Sequence, residues 1–168
     1  MDITIRKAMI NETYEFASCK IEAWQSAYKG IIPDEYLNSM CIEQHAKRYK
    51  ERMQDQNTEH YFVICNGETA GILVLSKCDN EDKANAGDII AIYLLKPYWN
   101  KGYGRMMMNF AVNRLKQLGY DEVVIWSLED NIRAKQFYEK FGFVFDGSEV
   151  EMNFGEPLTA VRHVISFI

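Results

Sequence analysis

The sequence predicts one mixed α/β domain, with elements in the order β-α-α-α-β-β-β-α-β-α-β-β over its 168 residues. Three observations predict it. Runs rich in β-branched and aromatic residues are interspersed with stretches whose apolar residues recur at three- and four-residue steps. The pair Asn66–Gly67 separates two β-rich runs, "YFVIC" and "ETAGILVLSK", and Asn-Gly there is the strongest short-range hairpin signal. Further on, the apolar run "DIIAIYLL" leads through "KPYWNKGYG" into a helical pattern, so that two glycines lie at a strand-to-helix junction.

The elements follow in order. "ITIRKA", residues 3–8, alternates and reads as the first strand. Asn11 opens a long helix running to about Tyr28, with Tyr14, Ala17, Ile21, Trp24 and Tyr28 as its apolar face. Gly30 and Pro33 break it, a short helix starts at Pro33–Asp34, and "IEQHAKRYKERMQ" suits a third. After the hairpin comes the polar loop "CDNEDKANAGD". "DIIAIYLL" has little polar alternation and reads as a strand buried on both faces. From Gly102 to Leu118 the pattern is helical, with Met107, Phe110, Ala111, Leu115 and Leu118 as one stripe and Gly119 at its end. "EVVIWSL" is another buried strand. "NIRAKQFYEKF" is a helix capped by Asn131 and closed by Gly142, and "FVFDGSEVEMNF" and "TAVRHVISFI" are closing strands.

Composition bounds the function. Lys and Arg number 19 against 24 Asp and Glu, a net charge of −5, and the pI is near 5.3. That argues against a general nucleic-acid or anionic-membrane binder and mildly favours a cationic small substrate. The N-terminus "MDITIRKAMINE" has no apolar core of a signal peptide, and no run approaches the roughly 20 apolar residues of a membrane span, so a cytoplasmic protein is expected. Cys19, Cys41, Cys65 and Cys78 are too widely spaced for a zinc site, and in a reducing compartment they are expected to stay thiols.

The glycine junction carries the chemistry. A helix N-terminus presents backbone N–H groups without intrahelical partners and roughly half a positive charge. A strand feeding "NKGYG" into a helix is therefore a candidate phosphate cradle, although the glycines would serve a tight turn equally well. The P-loop pattern is absent, and Met107 stands where the dinucleotide fingerprint wants its third glycine. What remains is Gln/Arg-x-x-Gly-x-Gly/Ala, read here as Trp99-Asn100-Lys101-Gly102-Tyr103-Gly104.

With a second motif about 30 residues on, the sequence resembles the GCN5-related N-acetyltransferase superfamily. "NIRAKQFYEKFGF" matches that family's Asn-x-x-Ala-x-x-Phe-Tyr-x-x-x-Gly-Phe at Asn131, Ala134, Phe137, Tyr138, Gly142 and Phe143. The resemblance covers residues 60–145 well, and the segment "AWQSAYKGIIPDEYL" matches a bacterial subgroup more loosely. Trp99 departs from the usual Gln or Arg and puts one side-chain contact in doubt, not the site. The resemblance implies a mostly antiparallel central sheet with two splayed parallel strands, "AIYLL" and "VVIWSL", and helices on both faces. It implies acetyl-CoA as co-substrate, its pyrophosphate on the backbone from Asn100 to Arg105 (Asn100, Lys101, Gly102, Tyr103, Gly104, Arg105). Lys101 and Arg105 would add charge, Ile92 and Leu94 would pair with the pantetheine arm, and Asn131 would reach the cofactor unless it is only a helix cap.

For chemistry, the resemblance implies direct attack of a neutral amine on the thioester. The Leu94 N–H would stabilise the oxyanion and Tyr138 would protonate the leaving thiolate. Asp88, Glu129, Glu22 or a water relay are the options for the base. His45, His60 and His163 show no partner pattern. Trp24, Tyr28 and Trp126 are candidates for the acceptor pocket, as an aromatic wall for a cation or simply as core. The acceptor would be a small-molecule or peptide amine. Two further readings stay open: a non-catalytic acyl-CoA-binding module, and a phosphate-binding nucleotide enzyme. The resemblance also allows a homodimer, a common state in the superfamily.

Overall fold

The computed structural model describes residues 3–167; Met1, Asp2 and Ile168, the ends of two segments quoted above, lie outside the described residues. The elements are β1 (Ile3–Lys7), α1 (Thr13–Ala27), α2 (Asp34–Ser39), α3 (Ile42–Arg52), β2 (Thr58–Cys65), β3 (Glu68–Lys77) and β4 (Ala86–Leu94), followed by α4 (Tyr103–Gln117), β5 (Glu122–Leu128), α5 (Ile132–Phe141), β6 (Val144–Asn153) and β7 (Pro157–Ser166). They form one seven-stranded sheet in the order β1-β2-β3-β4-β5-β7-β6. The β2–β3 hairpin turns on Asn66 (φ 51°) and Gly67 (φ 84°), both positive as a two-residue primed turn requires.

Only β4 and β5 are parallel, and they pair over just three rungs, Ala86–Glu122 to Asp88–Val124. Beyond Asp88 they separate. The cause lies on the other edge of β4, where Val74 pairs with Ala91 and Leu75 with Ile89, leaving Ile90 as an extra residue. Such a bulge bends its strand and increases the local twist. Antiparallel β7 continues along β5 to Leu128, so β5 keeps its course while β4 turns away.

Two layers of helix cover the sheet. On one face α4 and α5, with Phe143 just beyond α5, pack Met107, Met108, Ala111, Leu115, Tyr138 and Phe143 against Leu73, Val123 and Ile125. On the other, α1 and α3 pack Phe16, Ala17 and Tyr49 against Phe62, Ile72 and Val74. Around α2, a third cluster joins Tyr28, Ile32 and Leu37 to Leu128 and Ala160.

Three expectations shift. The helix expected from Asn11 begins with a 3₁₀ turn at Ile10–Glu12, where Glu12 accepts from the Met9 N–H at 2.8 Å. Its buried face carries Phe16, Ala17, Cys19, Ile21 and Ala23, while Tyr14 is exposed. In α4, Leu118 falls past the last turn and is exposed, and the buried face runs through Tyr103, Met107, Met108, Ala111, Val112 and Leu115. "DIIAIYLL" is not buried throughout: Ile90, the extra residue of the bulge, is 42% exposed.

Candidate active site

The gap between β4 and β5 opens into a cleft of about 750 Å³, walled by Ile92, Tyr93 and Leu94 on β4, Ser127 on β5, Tyr28 at the C-terminal end of α1 and Tyr138 from α5. Its outer rim is the glycine turn and the start of α5: Trp99, Asn100, Gly102, Gly104, Arg105, Asn131 and Arg133.

The backbone of β4 faces this gap. Leu95 N–H donates to Ala70 O at 2.9 Å, toward β3. Alternation along a strand then turns the N–H groups of Leu94 and Ile92 the other way, into the gap. The carbonyl of Leu94 is already bonded, accepting from Trp99 Nε1 at 2.8 Å. Trp99 thus ties the end of β4 to the turn. The Arg133 guanidinium lies 4.0 Å from the centre of the Trp99 ring and donates to Asn100 Oδ1 at 3.3 Å. The position where Trp99 stands in place of the family's Gln or Arg therefore has a guanidinium from α5 stacked upon it.

At the turn, Asn100 (φ 59°) and Gly102 (φ 83°) are both left-handed, and Gly102 is the N-cap of α4. A Cβ on Gly102 would meet nothing within 4 Å, so the requirement there is conformational rather than steric. The helix closes its first bond from Met106 N–H to Gly102 O at 3.2 Å, and the N–H groups before it belong to the open first turn. Tyr103 contributes backbone only, since its buried ring meets Cys65 Sγ, which donates to its hydroxyl at 3.7 Å. Lys101 does not line the cleft; its ammonium lies 5.8 Å from the Tyr98 ring centre. Asn131 does cap α5, its Oδ1 accepting from Ala134 N–H at 3.2 Å, and it also lines the cleft.

Three tyrosines converge inside. The Tyr28 and Tyr93 hydroxyls are hydrogen-bonded at 3.2 Å. The Tyr138 ring packs against Phe137, Phe143 and His163, and its hydroxyl has no hydrogen-bond partner among the described residues. Burial pushes the Tyr138 pKa up, so the group holds its proton, as a proton donor must.

Asp88 lies at the last paired rung, where the strands part, on the face of Trp126 and Arg162 rather than among the cleft-lining residues. Burial first, and Asp79 second, push its pKa up to about 7, with Arg162 opposing. Glu129 lies off the cleft, with its backbone N–H on Thr159 O and its carbonyl accepting from Lys135 Nζ at 2.9 Å. Glu22 also lies off it. Trp24 and Trp126 are not cleft-lining residues, and neither offers a vacant cation wall. Lys20 Nζ lies 4.7 Å from the Trp24 ring centre, and the Arg162 guanidinium 5.6 Å from that of Trp126. Both belong to the cluster around α2, with Phe154 5.5 Å from Trp24.

The histidines stand away from the cleft. His60 is packed between Phe16 and Tyr49, and burial pushes its pKa down to about 4. His45 meets Lys20 at 3.3 Å, and His163 is buried beneath Tyr138 and Phe145. Among the described residues no group of His, Cys, Asp and Glu could hold a metal, and no helix is long and apolar enough to cross a membrane. Tyr93, Ser127 and Arg133 escape a reading by sequence. Tyr93 and Ser127 are ordinary strand residues by pattern, and Arg133 is one more charge on a helix start.

The sequence matches the model of the acetyltransferase (GNAT) family over residues 21–143, and the chain belongs to that family. It is an acetyl-CoA-dependent N-acyltransferase. Among characterised proteins it is similar to a spermidine N(1)-acetyltransferase of Thermoplasma acidophilum, 25% identical, covering 90% of this chain and 96% of that one. An uncharacterized N-acetyltransferase of Bacillus subtilis is 26% identical over 77% of this chain and 73% of its own. In fold it resembles the Thermoplasma acidophilum PaiA N-acetyltransferase in complex with coenzyme A (TM-score 0.78, 21% identity, 99% of this chain and 100% of that one). It also resembles a Salmonella typhimurium acetyltransferase solved with acetyl-CoA (TM-score 0.75, 13% identity, 100% and 95%).

Proposed function

We propose that the chain moves an acetyl group from acetyl-CoA to a primary amine of a small molecule or peptide, by direct attack through a tetrahedral intermediate. The observation that carries this reading is the parting of β4 from β5 beside the glycine turn, with an unpaired tyrosine hydroxyl in the same cleft. The turn's N–H groups, with Arg105 and Arg133, suit a pyrophosphate. The gap-facing backbone of Ile92 and Leu94 suits an extended amide-bearing arm laid down as an added strand.

Asp88, at the rung where the strands part but not among the cleft-lining residues, then accepts the amine's proton through water, and a carboxylate with its pKa pushed up to about 7 is matched to that task at neutral pH. The Leu94 N–H donates to the developing oxyanion, and Tyr138 donates its proton to the leaving sulfur. The net charge of −5 and the similarity to a spermidine acetyltransferase put polyamines first in an acceptor panel.

The test is incubation with acetyl-CoA and a panel of polyamines, amino acids, aminoglycosides and peptide N-termini, reading free thiol. Thiol release that depends on one amine class, with the acetylated amine found by mass spectrometry, is the expected result. CoA binding without turnover on any amine would instead favour a non-catalytic acyl-CoA-binding module.

A further inference from the structure

Ser127 presents a feature that packing does not explain. It is 7% exposed, and its Oγ is buried with no hydrogen-bond partner among the described residues. Buried hydroxyls in folded proteins are nearly always paired, because an unpaired one forfeits its hydration for nothing. An alanine would fill most of the same space without that cost. The same side chain lines the cleft.

Its direction follows from the sheet. On β5, Val123 and Ile125 face the α4–α5 layer, whereas Trp126 and Leu128 face the other side. Ser127 therefore shares the face of Tyr138, which packs in the α4–α5 layer. Counting on from the Asp88–Val124 rung, and allowing for the extra residue at Ile90, Ser127 falls across the gap from Ile92. Ile92 is one of the two residues whose backbone N–H turns into that gap. An extended arm laid along Ile92 and Leu94 would pass in front of the Ser127 hydroxyl.

We propose that Ser127 is a cofactor contact: its hydroxyl hydrogen-bonds the amide- and thioester-bearing arm of CoA, and only the loaded protein satisfies it. This rests on the acetyl-CoA reading above. A hydroxyl can donate and accept at once, so it can hold an amide or a thioester carbonyl from the β5 side while β4 holds the arm by its backbone. The arm is then fixed from both strands, which sets the sulfur in line with Tyr138.

The test is calorimetric titration of CoA, and separately of adenosine 3′,5′-bisphosphate, which has the phosphates and base but no arm. The proteins are wild type, Ser127→Ala and Ser127→Cys, and the ligand-free melting temperature of each is also measured. The expected result is a melting temperature equal to or above wild type for Ser127→Ala. CoA affinity falls about tenfold in Ser127→Ala, a typical loss for one hydrogen bond. It falls also in Ser127→Cys, whose thiol is a weak donor, while bisphosphate affinity stays unchanged in both. Unchanged CoA affinity in both variants overturns the proposal. So does an equal loss for CoA and bisphosphate with a lowered melting temperature, which would mark Ser127 as packing. A wild type that binds no CoA overturns the acetyl-CoA reading itself and is distinguishable from either outcome.

Discussion

Tyr138 carries the clearest single-residue test of the mechanism. Replacing it with Phe keeps the ring against Phe137, Phe143 and His163 and removes a hydroxyl with no hydrogen-bond partner among the described residues. Stability should hold, while kcat at saturating acetyl-CoA should fall by roughly 10²-fold if that hydroxyl protonates the sulfur. Wild-type turnover across pH 6 to 9 would leave Tyr138 as packing only. Asp88 makes a pH prediction with a definite sign. A base works deprotonated, so with a pKa of about 7 the rate should rise as pH passes through 7. Asp88→Asn should lower kcat by roughly 10²-fold or more and abolish that limb. The same raised pKa means the folded state holds the proton more tightly than the unfolded chain, a contribution to stability lost as pH rises through 7. Asp88→Asn should therefore melt higher than wild type at pH 8, a gain in stability opposed to its loss of activity. A rate profile unchanged by the substitution would remove Asp88 from the proton path.

At the scale of elements, the glycine turn is where conformation and binding meet. Gly102→Val forces a β-branched residue to φ +83°, a strain of about 1–3 kcal/mol, although its Cβ would meet no neighbour. The turn should relax away from its left-handed geometry, aim its N–H groups elsewhere, and lose about tenfold or more in CoA affinity. Calorimetry on the folded variant decides it, and unchanged affinity would place the phosphates elsewhere. Arg133 tests the same turn from α5. Arg133→Ala removes a stacked guanidinium 4.0 Å from Trp99, whereas Arg133→Lys keeps the charge and loses the planar stack. If stacking positions the charge, both variants should weaken CoA several-fold, and Lys should recover only part of the loss.

Across the whole molecule, charge pairs tie distant segments together. Arg162 is 3% exposed on β7 and bonds Asp146 and Ser148 on β6 and Asn80 and Asp82 in the loop before β4. Glu59 on β2 accepts from Arg114 on α4 at 2.6 and 2.8 Å, and that bond holds its pKa down to about 2. A depressed carboxylate pKa contributes stability that is full above its unfolded value and fades as pH falls toward the folded one. Glu59→Gln should thus cost about 1–2 kcal/mol at pH 7 and little near pH 2, measured by urea unfolding across that range. An equal cost at both ends would mean the pair acts by packing rather than charge.

Much of this architecture was legible in local chemistry. The order of strands and helices, the Asn66–Gly67 hairpin, the Asn131 cap and the glycine junction all depend on residues a few positions apart, where periodicity and backbone preference act directly. Two motifs about 30 residues apart, Trp99–Gly104 and Asn131–Phe143, identified the family. What only the tertiary structure decided involves residues far apart in the chain. That Ile90 is the bulged residue of β4 depends on its register with β3. That Tyr28 and Tyr93 share a hydrogen bond, that Arg133 covers Trp99, and that Lys20 and Arg162 sit against the two tryptophans depends on how helices cross the sheet. That the Asp88 pKa is pushed up by burial and by Asp79 from a loop, against Arg162 on β7, depends on groups brought together in space. Local propensity is set by neighbours in sequence, whereas burial and pairing are set by neighbours in space, and the chemistry of this cleft is written in the second.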